Sequence, residues 1–406
     1  MMVPHSPENS PATPAKRTRL AWQNLADTPV RTMVSLGGIG FAILLMFMQL
    51  GFLGSVGDTA TVVYSRMQGD LLVRSKEYLH VYDTASLPDE LPGWLAGLPE
   101  VSRTIPLDIG VTQWQNPSDH SFRAIALMGV DLDNPAFDLP ELSPSMRAAL
   151  RSTGAVLIDD ASASDFGPRQ GDHFTEADVG VTTDVAGSNA TLKGTFAMGT
   201  GLAANGALLA SRETFAALTP GGHNDRVSLV LIELADSLSA DAGLDAVRRR
   251  LRSLGGPAAH ADAITLDQAK IAEQQMWYTQ TPIGMIFGIG VALAVLVGGV
   301  IGYMVLAADV TAHLSEYATL KAMGYSNRFL VKTLLSQSSL LALLAFPVAL
   351  LASLILYSIS SAVSGILIEM TWARIALVFA LSLVMCNAAG ILALRKLLKA
   401  EPANLF

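Results

Sequence analysis

The chain has 406 residues, 51% hydrophobic and only 15% charged, with a formal net charge of −8. Soluble globular chains carry about 25% charged residues, so this composition excludes an ordinary soluble enzyme and points to a membrane protein. The acidic balance argues against a nucleic-acid partner, and a single cysteine, Cys386, rules out an intramolecular disulfide.

Residues 1–19, rich in Pro, Ser and Thr, read as a disordered cytoplasmic tail. Residues 20–57 follow. Leu20, Ala21 and Leu25 share one helical face and Trp22 suits a membrane interface, so a short interfacial helix is expected there. Pro29 separates it from Thr32 to Gly57, 26 residues without a charge. A bilayer core needs ~20 apolar residues as helix, and a charge at its centre costs ~2.5–3.5 kcal/mol. The run exceeds the apolar core of a signal peptide, and no small-residue cleavage site follows it, so an anchor is expected. Three more charge-free runs follow: Gln274 to Ala308, Thr333 to Ile368, and Ile375 to Leu394. They predict transmembrane helices at 281–308, 333–358 and 372–394, a short loop at 359–371 and a C-terminal segment at 395–406. Pro347 should kink the third span.

Between the first two spans lie 223 residues, 58–280, with 16 Lys/Arg and 29 Asp/Glu, against 11 and 6 in the rest of the chain. The short segments at the other ends of the helices are basic: Lys16, Arg17, Arg19 and Arg31; Lys321, Arg328 and Lys332; Arg395, Lys396 and Lys399. The positive-inside rule puts both termini and the 309–332 segment in the cytoplasm and the acidic domain outside. Within that domain strands are expected at Asp70 to Arg74, Phe122 to Val130, Ala155 to Ile158 and Val227 to Leu234. Helices are expected at Ser86 to Leu98 and Ala240 to Ser253, the latter closing on Arg248, Arg249, Arg250 and Arg252. Leu266 to Tyr278 has helical character and leads towards the second span, where a stiff connection would couple the domain to the membrane helices. The fold class is thus four transmembrane helices plus a mixed α+β domain inserted between the first two.

Catalytic signatures are missing. The dipeptide Gly-Lys of a phosphate-binding loop does not occur, nor does a zinc H-E-x-x-H or a G-x-S-x-G elbow. His5, His80, His120, His173, His223, His260 and His313 are scattered without ligand spacing. The pairs Asp159–Asp160 and Asp131/Asp133 read as solvated loop charges. Without charges inside the spans, an ion-driven transporter is not expected. Gly37 and Gly40 in the first span, and Gly284, Gly288, Gly298 and Gly302 in the second, allow close helix packing, either within the chain or across a dimer.

The segment 309–332 reads as a capped amphipathic helix. Thr311 or Ser315 can cap its start, Glu316 and Lys321 complement the helix dipole, and Gly324 can supply a left-handed end. Leu314, Tyr317, Ala318 and Lys321 share a face, suited either to lipid or to a partner's groove. Glu316-Tyr-Ala-Thr-Leu-Lys-Ala-Met-Gly-Tyr325 resembles the E-x-x-x-L-K-A-x-G signature of FtsX/MacB-type ABC transporter permeases. Ala21-Trp-Gln-Asn-Leu25, Thr281-Pro-Ile-Gly284 and the C-terminal Arg395 to Phe406 fit the same family. Met46-Phe-Met-Gln-Leu-Gly-Phe52 is similar to the DevC subgroup of heterocyst glycolipid exporter permeases. The resemblance covers the chain beyond residue 19, more weakly in the outer domain, as at Asn205 to Ser211.

That resemblance implies a non-catalytic subunit of the bacterial inner membrane with a periplasmic 58–280 domain. It implies a homodimer, and a separate cytoplasmic ATPase that uses ATP and docks on Leu314, Glu316, Tyr317, Leu320, Lys321, Met323 and Gly324. No cofactor or metal is expected on this chain itself. Further implied partners are a DevB-like periplasmic membrane fusion protein, a TolC-like outer-membrane protein and membrane lipids, serving export of lipid, glycolipid or other hydrophobic cargo. The alternatives are a lipoprotein-releasing permease resembling LolCDE and an FtsX-like scaffold that activates a cell-wall hydrolase.

Overall fold

The structure, a computed structural model, describes residues 29–199, 205–222, 225–236, 238–312, 319, 323, 327–364 and 368–399. The chain divides into two compact units. One, here the membrane unit, comprises residues up to Ser55 and from Met285 onward; the other, the sheet domain, is Val56–Gly284.

Among the described residues four helices are long and apolar enough to cross a membrane, over Thr32–Ala60, Pro282–Ala308, Val331–Ala362 and Trp372–Ala393. They belong to α1 (Pro29–Ala60), α7 (Pro282–Ala312), α8 (Asn327–Ser364) and α9 (Trp372–Lys399). α8 carries Pro347 in its interior. In the membrane unit Ile39, Ala42, Ile43, Met46 and Phe47 of α1 pack with Leu341, Ala345 and Phe346 of α8 and Met385, Cys386 and Ala389 of α9. Phe346 lies between Phe47 and Phe379, with ring centroids 5.7 and 5.1 Å away. Cys386 is a buried packing residue, 1% exposed.

The described residues of the sheet domain form eleven strands. They are β1 (Leu71–Ser75), β2 (Leu87–Pro88), β3 (Val101–Gln115), β4 (Phe122–Val130), β5 (Ala155–Asp159), β6 (Thr182–Val185), β7 (Ser188–Phe196), β8 (Ala207–Ser211), β9 (Arg226–Val227), β10 (Leu229–Leu234) and β11 (Ala261–Thr265). Helices α2 (Leu91–Ala96), α3 (Pro144–Leu150), α4 (Arg212–Leu218), α5 (Ala240–Leu254) and α6 (Leu266–Thr279) lie between or after them. Nine strands form one mixed sheet in the order β11-β1-β10-β3-β4-β8-β5-β7-β6.

The sheet curls until β6 meets the far end of β3, where Trp114 pairs with Val185. Thr183 Oγ1 donates to the Gln115 carbonyl (2.6 Å) and Ala186 N–H to the Gln113 carbonyl (2.9 Å), closing a small barrel. Its interior holds Trp114, Ile125, Leu127, Val156, Ile158, Leu192 and Leu208. The flat flank β11-β1-β10-β3 is buried on both faces. Leu71, Val73, Val230 and Ile232 face Leu91 and Leu95 of α2 and Leu244, Val247 and Leu251 of α5. The alternating residues Leu72, Leu229 and Leu231 pack with Leu266 and Ala269 of α6, the period-2 alternation of a strand.

Three expectations change here. Helix over Ser86 to Leu98 contracts to Leu91–Ala96, and Leu87–Pro88 becomes a strand paired with β9. Pro88 explains the lost start, because it biases its predecessor away from helix, while Pro92 sits in the first turn of the helix, where its missing N–H costs nothing. The run Val227 to Leu234 splits at Ser228, whose N–H and hydroxyl bond Asp108 and the Ile109 backbone instead. Asp159 is not a solvated loop charge but is fully buried. Its Oδ1 accepts from Ala161 N–H and its Oδ2 from Gly199 N–H, both at 2.9 Å.

Candidate functional site

Six of the seven residues expected to dock an ATPase, Leu314, Glu316, Tyr317, Leu320, Lys321 and Gly324, lie outside the described residues. So do Ser315 and Ala318, and the interfacial segment Leu20 to Leu25. Met323 is described: it is exposed, in a turn, and its N–H bonds the Thr319 carbonyl four residues back at 2.9 Å. Thr311 does not cap a new helix. It lies in the last turn of α7, with its hydroxyl donating to the Ala307 carbonyl at 2.7 Å.

The glycines fall into three groups. A Cβ on Gly298 would stand 2.6 Å from Ala42 Cβ of α1 and would overlap Met385 Sδ of α9, while one on Gly302 would meet Ala389 Cβ at 3.3 Å. These two let α7 close on its own chain, and a Cβ on Gly40 would lie 4.0 Å from the Ala345 carbonyl oxygen of α8. Gly37 and Gly288 face open space. Gly284 forms a chain corner instead of a helix seam, since a Cβ there would overlap the carbonyl oxygens of Trp277 and Tyr278. The corner joins α6 to α7. Thr281 Oγ1 donates to the Trp277 carbonyl (2.6 Å) and accepts from Gly284 N–H (3.3 Å), a cap for the first turn of α7.

Polar groups fix the membrane helices to one another. Ser338 and Ser339 of α8 both donate to Asn387 Oδ1 of α9, at 3.0 and 3.2 Å. Tyr357 of α8 donates its hydroxyl to the Phe47 carbonyl of α1. Arg374, in the first turn of α9, lies 5.8 Å from the Tyr357 ring centroid and fills the space over Gly54.

A buried polar cluster of the sheet domain surrounds Glu273 of α6, which is 2% exposed. Its Oε2 accepts from Tyr78 Oη (2.7 Å) and Tyr64 Oη (3.1 Å). Its Oε1 accepts from Trp277 Nε1 (3.1 Å) and Val81 N–H (3.2 Å). The two tyrosine hydroxyls are also within hydrogen-bond distance of each other, so their two protons are shared among the two phenol oxygens and Oε2. Burial, reinforced by neighbouring negative charge, pushes both phenols well above their ordinary range, so they stay neutral donors. Tyr64 sits in a single 3₁₀ turn (Val63–Ser65) just after α1, while Trp277 lies near the end of α6. Sequence reading missed this cluster, although a signal exists. Leu266, Ala269, Glu273 and Trp277 form the buried stripe of α6, so a carboxylate occupies an apolar helical position.

A second charged cluster serves the sheet. Arg212, opening α4, donates Nε to Asp108 Oδ2 and Nη2 to Asp89 Oδ1, each at 2.7 Å. Among the described residues no group of three or more His, Cys, Asp or Glu is placed to hold a metal.

Comparison with known families finds a match in part of the membrane unit. Residues 288–402, from α7 through α9, match the family described as FtsX-like permease C-terminal. The match takes in three of the four candidate spans and leaves α1 and the sheet domain outside it. No curated protein sequence matches the chain. Among solved structures, the chain is similar to the periplasmic region of MacB from Actinobacillus actinomycetemcomitans, at 10% identity and TM-score 0.37, covering 52% of this chain and 94% of that one. It is also similar to the extracellular domain of the noncanonic ABC-type transporter YknZ from Gram-positive bacteria, at 13% identity and TM-score 0.35, covering 48% and 98%. A domain of a putative permease protein from Porphyromonas gingivalis gives 16% identity and TM-score 0.32, covering 48% and 88%.

Proposed function

We propose that this chain is the permease subunit of an ABC transporter of the FtsX/MacB type. It resides in a bacterial inner membrane with its sheet domain in the periplasm, and it performs no catalysis itself. A separate cytoplasmic ATPase docks on the segment 309–332 through Leu314, Glu316, Tyr317, Leu320, Lys321, Met323 and Gly324. ATP-driven closure of that partner moves the spans, and the spans move the periplasmic domain. The observation that carries this reading is the FtsX-like match over α7 to α9, in a chain with four candidate spans and a folded domain between the first two. The finer reading follows the sequence motifs: a homodimer of DevC type working with a periplasmic membrane fusion protein and a TolC-like duct to export lipid, glycolipid or another hydrophobic cargo.

The test is reconstitution. The purified chain alone should not hydrolyse ATP, and the ATPase that copurifies with it should be stimulated by it. Gly324→Val should abolish the stimulation while leaving membrane insertion intact, because a β-branched residue disfavours a left-handed cap. ATP hydrolysis by the chain alone, or labelling that places residues 58–280 on the cytoplasmic side, overturns the proposal.

A further inference from the structure

The chain enters the sheet domain behind α1 and leaves it through α6. Those two segments, far apart in sequence, meet at one side chain. Tyr64 and Glu273 are separated by 209 positions and Tyr78 and Glu273 by 195, yet both hydroxyls converge on Oε2. The opposite oxygen holds Val81 N–H, in the loop after β1, and Trp277 Nε1 of α6 itself. Around this point the packing is equally close. A Cβ on Gly57, in the last turns of α1, would overlap the Tyr278 hydroxyl, and the His80 ring lies 5.7 Å from that of Trp277.

A buried carboxylate is expensive unless it is paired or hydrogen-bonded; Arg74, 4.7 Å from the Tyr78 ring centroid, lies behind the tyrosines, and the direct partners of Glu273 are four hydrogen-bonding groups. An apolar residue would fill the same stripe of α6 without that requirement. What the carboxylate adds is directionality: three separate stretches of chain must present their donors in one arrangement, or the charge is left unsatisfied.

We propose that Glu273 is a latch: a positioning residue that binds the segment leaving α1, the loop after β1 and helix α6 into one rigid node. Movement of either chain end is then delivered to the sheet domain as a unit, not absorbed at a hinge. This role rests on the transmission reading above; the latch itself does not.

Hydrogen exchange on the full chain in lipid nanodiscs decides the matter, comparing Glu273→Met with Glu273→Gln. Met matches the length but accepts nothing, stranding four donors. Gln can turn its oxygen to Val81 and Trp277 and its amino group to the tyrosine hydroxyls, which also accept. In Glu273→Met, amides of residues 61–67 and 266–279 should exchange at least about tenfold faster than in the parent chain, with β3 and β4 unchanged. Glu273→Gln should stay within about threefold. Should the Met variant fail to fold, Trp277→Phe removes one donor and should raise exchange in the same peptides alone. Equal exchange in all variants, or loosening spread over the whole sheet, overturns the latch. In the complex with the copurifying ATPase, Glu273→Met should lose stimulation and Glu273→Gln keep it. Stimulation that survives in the Met variant despite faster exchange overturns the transmission role, while a parent complex without stimulation counts against the ATPase reading instead.

Discussion

Replacing Asp159 by asparagine should remove a pH dependence that the sheet domain otherwise carries. Asp159 ends β5 with no exposed surface. Desolvation disfavours its charge, and nearby Asp160 adds repulsion. The N–H groups of Ala161 and Gly199 oppose both, but the net result is a carboxyl pushed up to about 7. In an unfolded chain the group would titrate near ~3.9. The folded state therefore prefers the neutral acid. This contribution to stability is complete below about pH 4 and is lost as the pH rises to about 7, after which it stays flat. About three pKa units at 1.36 kcal/mol each set the loss on the order of 4 kcal/mol. Asparagine is neutral throughout but has one accepting oxygen for two N–H groups, a cost of about 1 kcal/mol. The variant should thus be slightly less stable than the parent near pH 4 and more stable near pH 8. Urea unfolding of the full chain in detergent, followed by tryptophan fluorescence, measures this, because buried Trp114 lies in the same barrel interior as Val156 and Ile158 of β5. The difference between parent and variant isolates Asp159 from other titrating groups. Parallel pH profiles for the two proteins would refute the reasoning.

Gly298→Leu should lower the thermal midpoint of the membrane unit by an amount equivalent to about 1–3 kcal/mol, since Ala42 and Met385 already occupy the space. Gly288→Ala, which meets nothing, is the matched control in the same thermal scan. Arg212→Met should cost about 1–3 kcal/mol in urea unfolding by stranding Asp108, whose side chain is 7% exposed; adding Asp108→Asn should recover part of that loss, giving a positive coupling in a double-mutant cycle. Tyr357→Phe should cost only about 0.6 kcal/mol, the average for a hydrogen bond between membrane helices. A thermal shift several times larger would show that Tyr357 does more than join α8 to α1.

The four candidate spans are legible because a charge inside a bilayer is costly, which keeps charged residues out of long stretches of chain. Strand β4 is legible from Phe122 to Val130, where apolar residues dominate without a turn-forming break. The longest strand, β3, is not. Its first half buries Ile105, Leu107 and Ile109 on one face, while its second half buries Thr112 and Trp114 on the other. The alternation changes phase where the strand passes from flat flank to barrel, and Pro106 and Gly110 read as punctuation. Strands β6 to β8 and β11 are hidden differently. β6, β8 and β11 have only four or five residues, and β7, though nine residues long, is mostly Ser, Asn, Thr, Lys and Gly, so all four are held by tertiary pairing more than by local preference. The barrel closure between Trp114 and Val185 joins residues that no local pattern relates.

Two carboxylates break the apolar pattern of their elements, and the difference between them separates local from global roles. Asp159 is anchored by N–H groups of the turn that follows it and of the Gly199 loop, all within 40 positions. Its effect is confined to how β5 ends, and neutralising it leaves the topology intact. Glu273 draws three of its four donors from about 200 positions away. Closing so long a loop costs chain entropy that a single contact does not offset, so these bonds exist only where packing of Leu266 and Ala269 has already brought α6 onto the sheet. The carboxylate then adds orientation to an association that apolar burial has established. A domain tied to a membrane by two lengths of chain needs that division. Burial supplies the strength and is tolerant of sliding, whereas four donors aimed at two oxygens are not. Substituting Leu266 by Ala should therefore weaken the domain without loosening the Tyr64 segment selectively, and Glu273→Met should do the reverse, a contrast that exchange in the two peptides reads directly.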